Sequence, residues 1–480
     1  MYVHNVRLGF ATNSSSSHSI VILRPGYTTA NIKAKNGSRS GDYNFGWEAF
    51  RLVDGEEKGY YVIAQFVSNL RRSNLSYAEI SATIFELFGV HITEQEFGDP
   101  NWPDISVDHQ SVLGVSATHV EFWRDFYNFS QRDDVVIIGG NDNDGPLDES
   151  FAGAPADTFE MFSAFRDRDA SDLLLRSDNG VWTMFNKHTG AKVRVSFTSD
   201  EPYVKASAPE LVDLKLTNFC PFGCTFCYQS STKTGIHAPK QTIFKIIRQL
   251  ARLKVFEIAI GGGEPTMHPD FAEILKYAHE HNIVPNFTTY SIAWLKHDEI
   301  VSAVAKYAGG VGVSVHNLKD LEKVYKIRQA IFDHPESSYG RPKVMAQHVI
   351  GTCSVVELVE MLDTCSDKHV PILFLGYKNV GFGTQVVPND FSDFPIILKL
   401  ALKNSTRWLS LSVDTAVLDQ YPDILKVLEV SPVLATAEEG KFSCYIDAVT
   451  EQMAASSYAP DAMQPLPASA KTIKKLFATY

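Results

Sequence analysis

No run of apolar residues in this 480-residue chain approaches the roughly 20 needed to cross a bilayer. No block of lysine and arginine is present either, and the net charge is −12. That balance argues against general electrostatic binding of nucleic acid, and leaves room only for a local basic groove. Cysteine is scarce. Three of the six, Cys353, Cys365 and Cys444, are scattered, and the set makes no secreted disulfide framework. The opening Met1-Tyr-Val-His-Asn-Val-Arg7 lacks the apolar core of a signal peptide. A cytoplasmic location is expected, where thiols stay reduced. The remaining composition, 44% hydrophobic and 21% charged, is globular and long enough for two or three domains.

The other three cysteines stand together. Cys220, Cys224 and Cys227 form Cys-Pro-Phe-Gly-Cys-Thr-Phe-Cys. Three thiolates so spaced can hold three irons of a [4Fe–4S] cluster and leave the fourth iron without a protein ligand. Such an iron can bind and activate a small molecule. Zinc sites more often read CxxC twice, at separated places, and want four ligands. An apolar strand, 212–216, runs straight into Cys220. Aromatic residues, Phe226 and Tyr228, flank Cys227. Gly223 is expected at positive φ, where it lets the loop turn tightly. A second apolar strand, 255–260, ends in Gly261-Gly262-Gly263-Glu264-Pro265. Alone this segment reads as a turn. Its missing side chains would let a ligand ammonium reach backbone carbonyls. Glu264 is placed either to accept a hydrogen bond from that ammonium or to pin the loop.

With both motifs in order, the chain resembles the radical S-adenosylmethionine (SAM) superfamily over roughly residues 208–415. The resemblance implies that Cys220, Cys224 and Cys227 carry the cluster. Its open iron would chelate the amino and carboxylate groups of SAM, with Phe226 beside the last ligand. The segment Gly261, Gly262, Gly263, Glu264 and Pro265 would bind the SAM amino group. Ser314, at the end of the fourth strand, would reach the ribose or carboxylate, and His316 the substrate. Ile350, in Val349-Ile-Gly351, would pack the adenine. Gly376, Tyr377 and Lys378, after the sixth strand, would meet the adenine edge or the substrate. The residues alone also allow ordinary hydrogen bonding for Ser314 and His316, plain packing for Tyr377 and a solvated side chain for Lys378. The third strand ends Asn286-Phe-Thr-Thr-Tyr290, where many members carry Thr-Asn-Gly. This departure turns Thr288, Thr289 and Tyr290 toward the substrate side.

Alternation of strands and helices predicts an α/β fold. Strands are expected at 212–216, 255–260, 284–288, 311–315, 344–350 and 370–375. Helical spacing separates them, as in Ile243, Ile246, Ile247, Leu250 and Leu253. By resemblance this is a partial (β/α)6 TIM-like barrel over residues 206–415. Residues 1–205 read as an N-terminal α+β domain, for substrate recognition or as a lid. Its expected elements are strands at 18–23 and 134–138, a helix at 76–87, and a hairpin of 181–185 with 191–197. The acidic, glycine-containing stretches near 139–157 and 166–180 read as surface loops or a lid. Thr12–His18 and Asn141–Gly145 read as polar turns before any anion or calcium site.

Residues 416–480 form a short C-terminal extension. It loosely resembles that of peptide-modifying members, which bind extra clusters through several cysteines. Only Cys444 is available here, and Ser456-Ser457 stand where another would be expected. No auxiliary cluster is therefore expected, and Cys353, Cys365 and Cys444 read as buried thiols.

The expected activity is reductive cleavage of SAM to a 5′-deoxyadenosyl radical that takes hydrogen from a substrate. A peptide or protein side chain is the first reading. A small metabolite or nucleotide is the second, and a non-catalytic SAM- or cluster-binding regulator the third. A low-potential donor, a flavodoxin or ferredoxin, is implied as partner.

Overall fold

The computed structural model describes residues 203–335, 343–404, 411–428, 439–459 and 462–480. Before these it describes residues 2–7, 18–22, 44–45, 50–70, 75–99, 102–103, 105–107, 112–113, 115–132, 135–139 and 173–197. The chain divides into two compact units, Met1–Pro202 and Tyr203–Tyr480.

The second unit is built on one sheet. Its strands β1 (Leu211–Thr217), β2 (Glu257–Gly262), β3 (Val284–Thr289), β4 (Gly310–Ser314), β5 (Lys343–Val349), β6 (Ile372–Leu375) and β7 (Leu411–Val413) lie side by side and parallel, in chain order. The six expected strands are all present, and β7 adds a seventh. On its other edge β1 pairs, also in parallel, with β8 (Ser443–Asp447). Two short antiparallel strands, β9 (Gln452–Ala454) and β10 (Gln464–Pro465), follow.

Helices α1 (Lys240–Arg252), α2 (Phe271–Glu280), α3 (Asp298–Tyr307), α4 (Leu321–Asp333) and α5 (Val355–Asp367) connect successive parallel strands from β1 to β6. Each buries the stripe its spacing predicts. In α1 this is Ile243, Ile246, Ile247 and Leu250. Ser354 opens α5 with a capping box to Glu357, which satisfies backbone donors at the helix start.

The faces of β1 divide sharply. Val212, Leu214 and Leu216 are buried against the helices. Asp213 and Lys215 point the other way, because successive side chains alternate. That inner face is polar in neighbouring strands too. Asn286 Nδ2 donates to Glu257 Oε2 at 3.1 Å, and Thr288 Oγ1 donates to Gln347 Oε1 at 3.1 Å.

Five strand spacings separate β1 from β6, about 24 Å in a flat sheet. Yet Lys378, three residues past β6, places its Nζ 4.7 Å from the centre of the Tyr228 ring. Phe382 N donates to Cys227 O at 3.0 Å. The sheet must therefore curl around its polar face. Among the described residues no pairing closes it, so the architecture is a partial barrel.

The first unit combines helices with an antiparallel sheet of Tyr2–Arg7, Lys192–Ser196, Val181–Asn186 and Leu173–Asp178. Strands His18–Ile22 and Val135–Gly139 pair as a separate sheet with Phe50–Leu52. The expected helix is Tyr77–Phe88, closed at its start by a Ser76–Glu79 capping box. Helices Gly55–Leu70 and Val120–Ser130 bury an aromatic core that includes Tyr61, Phe66, Phe122, Trp123 and Phe126.

One expectation is corrected here. Residues 173–178 lie within the stretch read as a surface loop, but they form a strand. Asn179 (φ 51°) and Gly180 (φ 81°) make a two-residue turn that folds it onto Val181–Asn186. An Asn-Gly pair is the strongest short hairpin signal, and the acidic residues around it obscured it. The Thr12–Ser17 and Asn141–Gly145 readings lie outside the described residues.

Lys215 Nζ and Asp447 Oδ2 pair at 3.1 Å, with both side chains under 10% exposed. Asp447 Oδ1 also accepts from the Val449 and Thr450 N–H groups. The pair therefore ties β1 to β8. Lys215→Met should lower stability by about 3 kcal/mol or more, because it strands a buried carboxylate. A urea titration that follows the second unit's transition checks this.

Candidate active site at the cysteine loop

The chain leaves β1 and doubles back on itself. Asn218 N donates to Ile236 O, Cys220 N to Thr232 O, and Thr232 N to Asn218 O, at 2.9, 2.9 and 3.1 Å. The excursion between these bonds carries all three cysteines. Gly223 takes φ +66° as expected, and a Cβ there would meet nothing within 4 Å. The tightness falls instead on Gly235, where a Cβ would lie 2.0 Å from Asn218 O.

The thiols of Cys220, Cys224 and Cys227 are free and half-buried. Burial, reinforced by Cys220 and Cys227, pushes the Cys224 thiol up to about 11. Burial also raises Cys220, against the opposing pull of the Phe222 and Gly223 N–H groups. Metal ions must therefore displace protons to bind here. Among the described residues, no three His, Cys, Asp or Glu side chains converge on one point as a single metal ion requires. In a cluster each of the three thiolates would take its own iron. The N–H groups aimed at Cys220 add donors suited to a thiolate ligand. Cys353, Cys365 and Cys444 are buried, as read from the sequence.

The glycine segment is bonded directly to the cysteine loop. Gly263 N donates to Thr217 O at 2.7 Å, and Glu264 N donates to Phe219 O at 2.9 Å. A Cβ on Gly263 would sit 2.1 Å from Phe219 O, and one on Gly262 (φ +108°) would sit 2.4 Å from Thr217 O. These two glycines are required by the approach of the chain itself. Only at Gly261 would an added Cβ meet nothing within 4 Å.

Of the two roles open to Glu264, the geometry assigns the pin. Its side chain is 2% exposed. Oε1 accepts from Thr266 Oγ1 and Thr289 Oγ1, each at 2.7 Å, and from Thr266 N at 3.3 Å. Oε2 accepts from the N–H groups of Tyr290 and Ser291, at 3.0 and 3.1 Å. Five donors fill a carboxylate's capacity and leave no site for a ligand ammonium. Thr289 is thereby committed to Glu264 and Thr288 to Gln347. Sequence reading missed the contribution of Thr266, two residues on, and of Thr289 and Ser291, which only the fold brings to Glu264. Pro265 starts the short turn Pro265–Met267 that follows.

Tyr290 links this clamp to the cysteine loop. Its ring stacks on His316 (4.3 Å between centres) and meets Phe222 edge-on (4.9 Å). His316 in turn meets Phe226 edge-on at 5.0 Å. Burial lowers the pKa of His316 below the ordinary imidazole value. Lys323 Nζ lies 3.1 Å from the Tyr290 ring centre and 2.9 Å from Asp320 Oδ1. Ser314 is half-buried at the end of β4, level with Gln347 of β5.

The residues assigned to the adenine separate. Ile350 is 3% exposed and belongs to the apolar core. Gly376 N donates to Asp414 Oδ1 at 3.0 Å, and a Cβ there would touch Ala416. Tyr377 donates its hydroxyl to Gly383 O and Val386 O, which shapes the loop that covers Cys227. Lys378 is not a solvated lysine, since its side chain is 18% exposed. Burial lowers its pKa, but Tyr228, Asp414, Asp213 and Glu439 outweigh this and raise it overall.

Two glycine variants should separate these roles. Gly263→Ala must displace the Phe219 carbonyl and should abolish iron loading or the fold of the unit. Gly261→Ala should leave secondary structure and stability within about 0.5 kcal/mol of the native protein. Circular dichroism melts and iron analysis distinguish the two. Glu264→Ala strands buried donors and should cost about 3 kcal/mol.

The Radical SAM superfamily matches residues 214–337, which hold the cysteine loop and Gly261–Pro265. Mycofactocin maturase MftC of Mycobacterium ulcerans is 39% identical over 87 residues, 18% of this chain and 23% of that protein. PqqA peptide cyclase of Ruegeria pomeroyi is 30% identical over 98 residues, 19% and 25% of the two chains. The chain thus matches about a quarter of the length of these curated relatives. The crystal structure of Streptococcus suis SuiB bound to precursor peptide SuiA superposes with a TM-score of 0.47 at 14% identity, over 62% of this chain and 84% of that one. The family implies SAM and an iron–sulfur cluster. Residues 214–337 thus carry a radical SAM domain.

Proposed function

We propose that the chain is a radical SAM enzyme that modifies a peptide or protein side chain. The observation that carries the reading is the cysteine loop, which holds three free half-buried thiols and whose lead-in, Thr217 and Phe219, accepts backbone hydrogen bonds from Gly263 and Glu264. With SAM, the cluster supplies reductive cleavage to a 5′-deoxyadenosyl radical. Cys220, Cys224 and Cys227 would hold three irons and leave the fourth without a protein ligand. The open space at Gly261 gives the SAM amino group its approach to backbone carbonyls. Glu264 fixes that loop without touching the ligand. Ser314 is placed to meet the carboxylate or ribose. Gly376 and the Tyr377-braced loop form the far wall.

The substrate would enter along the polar inner face, where the curl of the sheet narrows access and limits water. The names of the two curated relatives, a maturase and a peptide cyclase, support a peptide substrate. A low-potential flavodoxin or ferredoxin would supply the electron. Among the described residues no helix is long and apolar enough to cross a membrane.

Anaerobic reconstitution with iron and sulfide, followed by SAM and dithionite, should yield 5′-deoxyadenosine by mass spectrometry. The Cys220/Cys224/Cys227→Ala triple variant should yield none. A native protein with about four irons per chain that stays silent, even with cell extract added, would mark a binding protein instead.

A further inference from the structure

Beyond the cysteine loop, the inner face of the sheet carries a second group of charges that SAM cleavage does not use. Its centre is Lys378. The Nζ lies 4.7 Å from the centre of the Tyr228 ring, 5.0 Å from that of Tyr458 and 4.0 Å from Asp414 Oδ2. Asp213 and Glu439 complete the group, and both interact electrostatically with Lys378. Tyr445 stands level with Asp213 on the adjoining strand and donates its hydroxyl to Gln229 Oε1 at 3.2 Å. Three carboxylates thus face one ammonium, with Glu257 next along the same face.

The three carboxylates are not equivalent. Asp414 Oδ1 accepts from the Gly376 and Val417 N–H groups. Glu439 accepts from Thr415 Oγ1 and bonds Tyr458. No described residue donates a hydrogen bond to Asp213. Its carboxyl group is enclosed by protein, yet the residue keeps accessible surface, and that surface opens on the inner face. A reachable carboxylate with no hydrogen-bond donor keeps its oxygens open to a further cation, even with Lys378 nearby. Burial, with Glu439, Asp414 and Glu257 adding, lifts Asp213 to about 6 against the pull of Lys378. Asp414 and Glu439 are raised as well, each by burial first. Among the described residues, the ammonium of Lys378 is the cation that these three carboxylates share. The tyrosine rings that already seat its ammonium are the surfaces a second cation would favour.

We propose that Asp213, flanked by Tyr445 and Tyr228, receives a cationic group of the substrate, a primary ammonium or guanidinium such as a lysine or arginine side chain. The reading that the substrate is a peptide supplies only the source of that cation. The site itself lies between the cysteine loop and the C-terminal segment, and it would hold the charged end of a side chain while the carbon chain before it faces the iron site.

The test is equilibrium binding to the cluster-loaded protein, without SAM or reductant. Two fluorescein-labelled hexapeptide pools are compared, matched at five randomised positions and differing at one fixed central residue, Lys or norleucine. The Lys pool should bind about tenfold more tightly, the ordinary effect of one charge-assisted contact. Asp213→Asn keeps the side-chain volume and should erase that preference. Lys378→Met removes the resident cation and should strengthen it several-fold, a change of opposite sign that misfolding cannot produce. Equal binding of the two pools, or an undiminished preference in Asp213→Asn, would overturn the proposal. Free lysine amide competing as well as the Lys pool would keep the cation site but assign it to a small amine. Because binding is read without SAM, absence of deoxyadenosine formation would sink the enzymatic reading and leave this result standing.

Discussion

The architecture of the site depends on one close approach, between the exit of β1 and the end of β2. Two backbone hydrogen bonds, from Gly263 to Thr217 and from Glu264 to Phe219, hold the cysteine loop against the glycine segment. Side chains at 262 and 263 would prevent it, since each Cβ would overlap a carbonyl oxygen. The Glu264 carboxylate then fastens the same point to the end of β3. Three strand ends become one rigid rim, and Tyr290 and His316 carry that rigidity back to Phe222 and Phe226, on either side of Cys224. Preorganisation of this kind suits a reaction whose reactive species must be held away from everything but its target.

The rim also explains why a motif can look like a ligand site in sequence and act partly as a fastener in space. Gly261 keeps the open face, while Gly262, Gly263 and Glu264 serve the chain. Division of labour within five residues is economical. The same strand end leaves one backbone face open and fixes its own position.

Much of the second unit was legible in the sequence. Apolar strands of 5–7 residues alternating with helical stripes such as Ile243–Leu250 gave β1 to β6 and the helices between them, because both periodicities report burial directly. The cysteine loop and glycine segment were legible as chemistry. Other features were not. β7 is three residues long and carries no pattern of its own. β8 reads as a short strand, but nothing local says that it lies beside a strand some 230 residues earlier. Leu173–Asp178 was hidden by its acidic surroundings, although Asn179-Gly180 marked the turn. The burial of Lys378 and the isolation of Asp213 were beyond reach. Each depends on the curl of the sheet, which brings β1 and β6 together and has no signature in either strand.

The position of β8 has a consequence for how this protein is made. At five to twenty residues per second, the ribosome delivers β1 many seconds before Ser443–Asp447. Through that interval the edge of β1 that β8 will occupy offers free N–H and C=O groups beside an apolar face, the arrangement most prone to pairing with the wrong strand. The buried Lys215 also awaits Asp447. The most distant strand pairing of the partial barrel is therefore the step that ends this exposure.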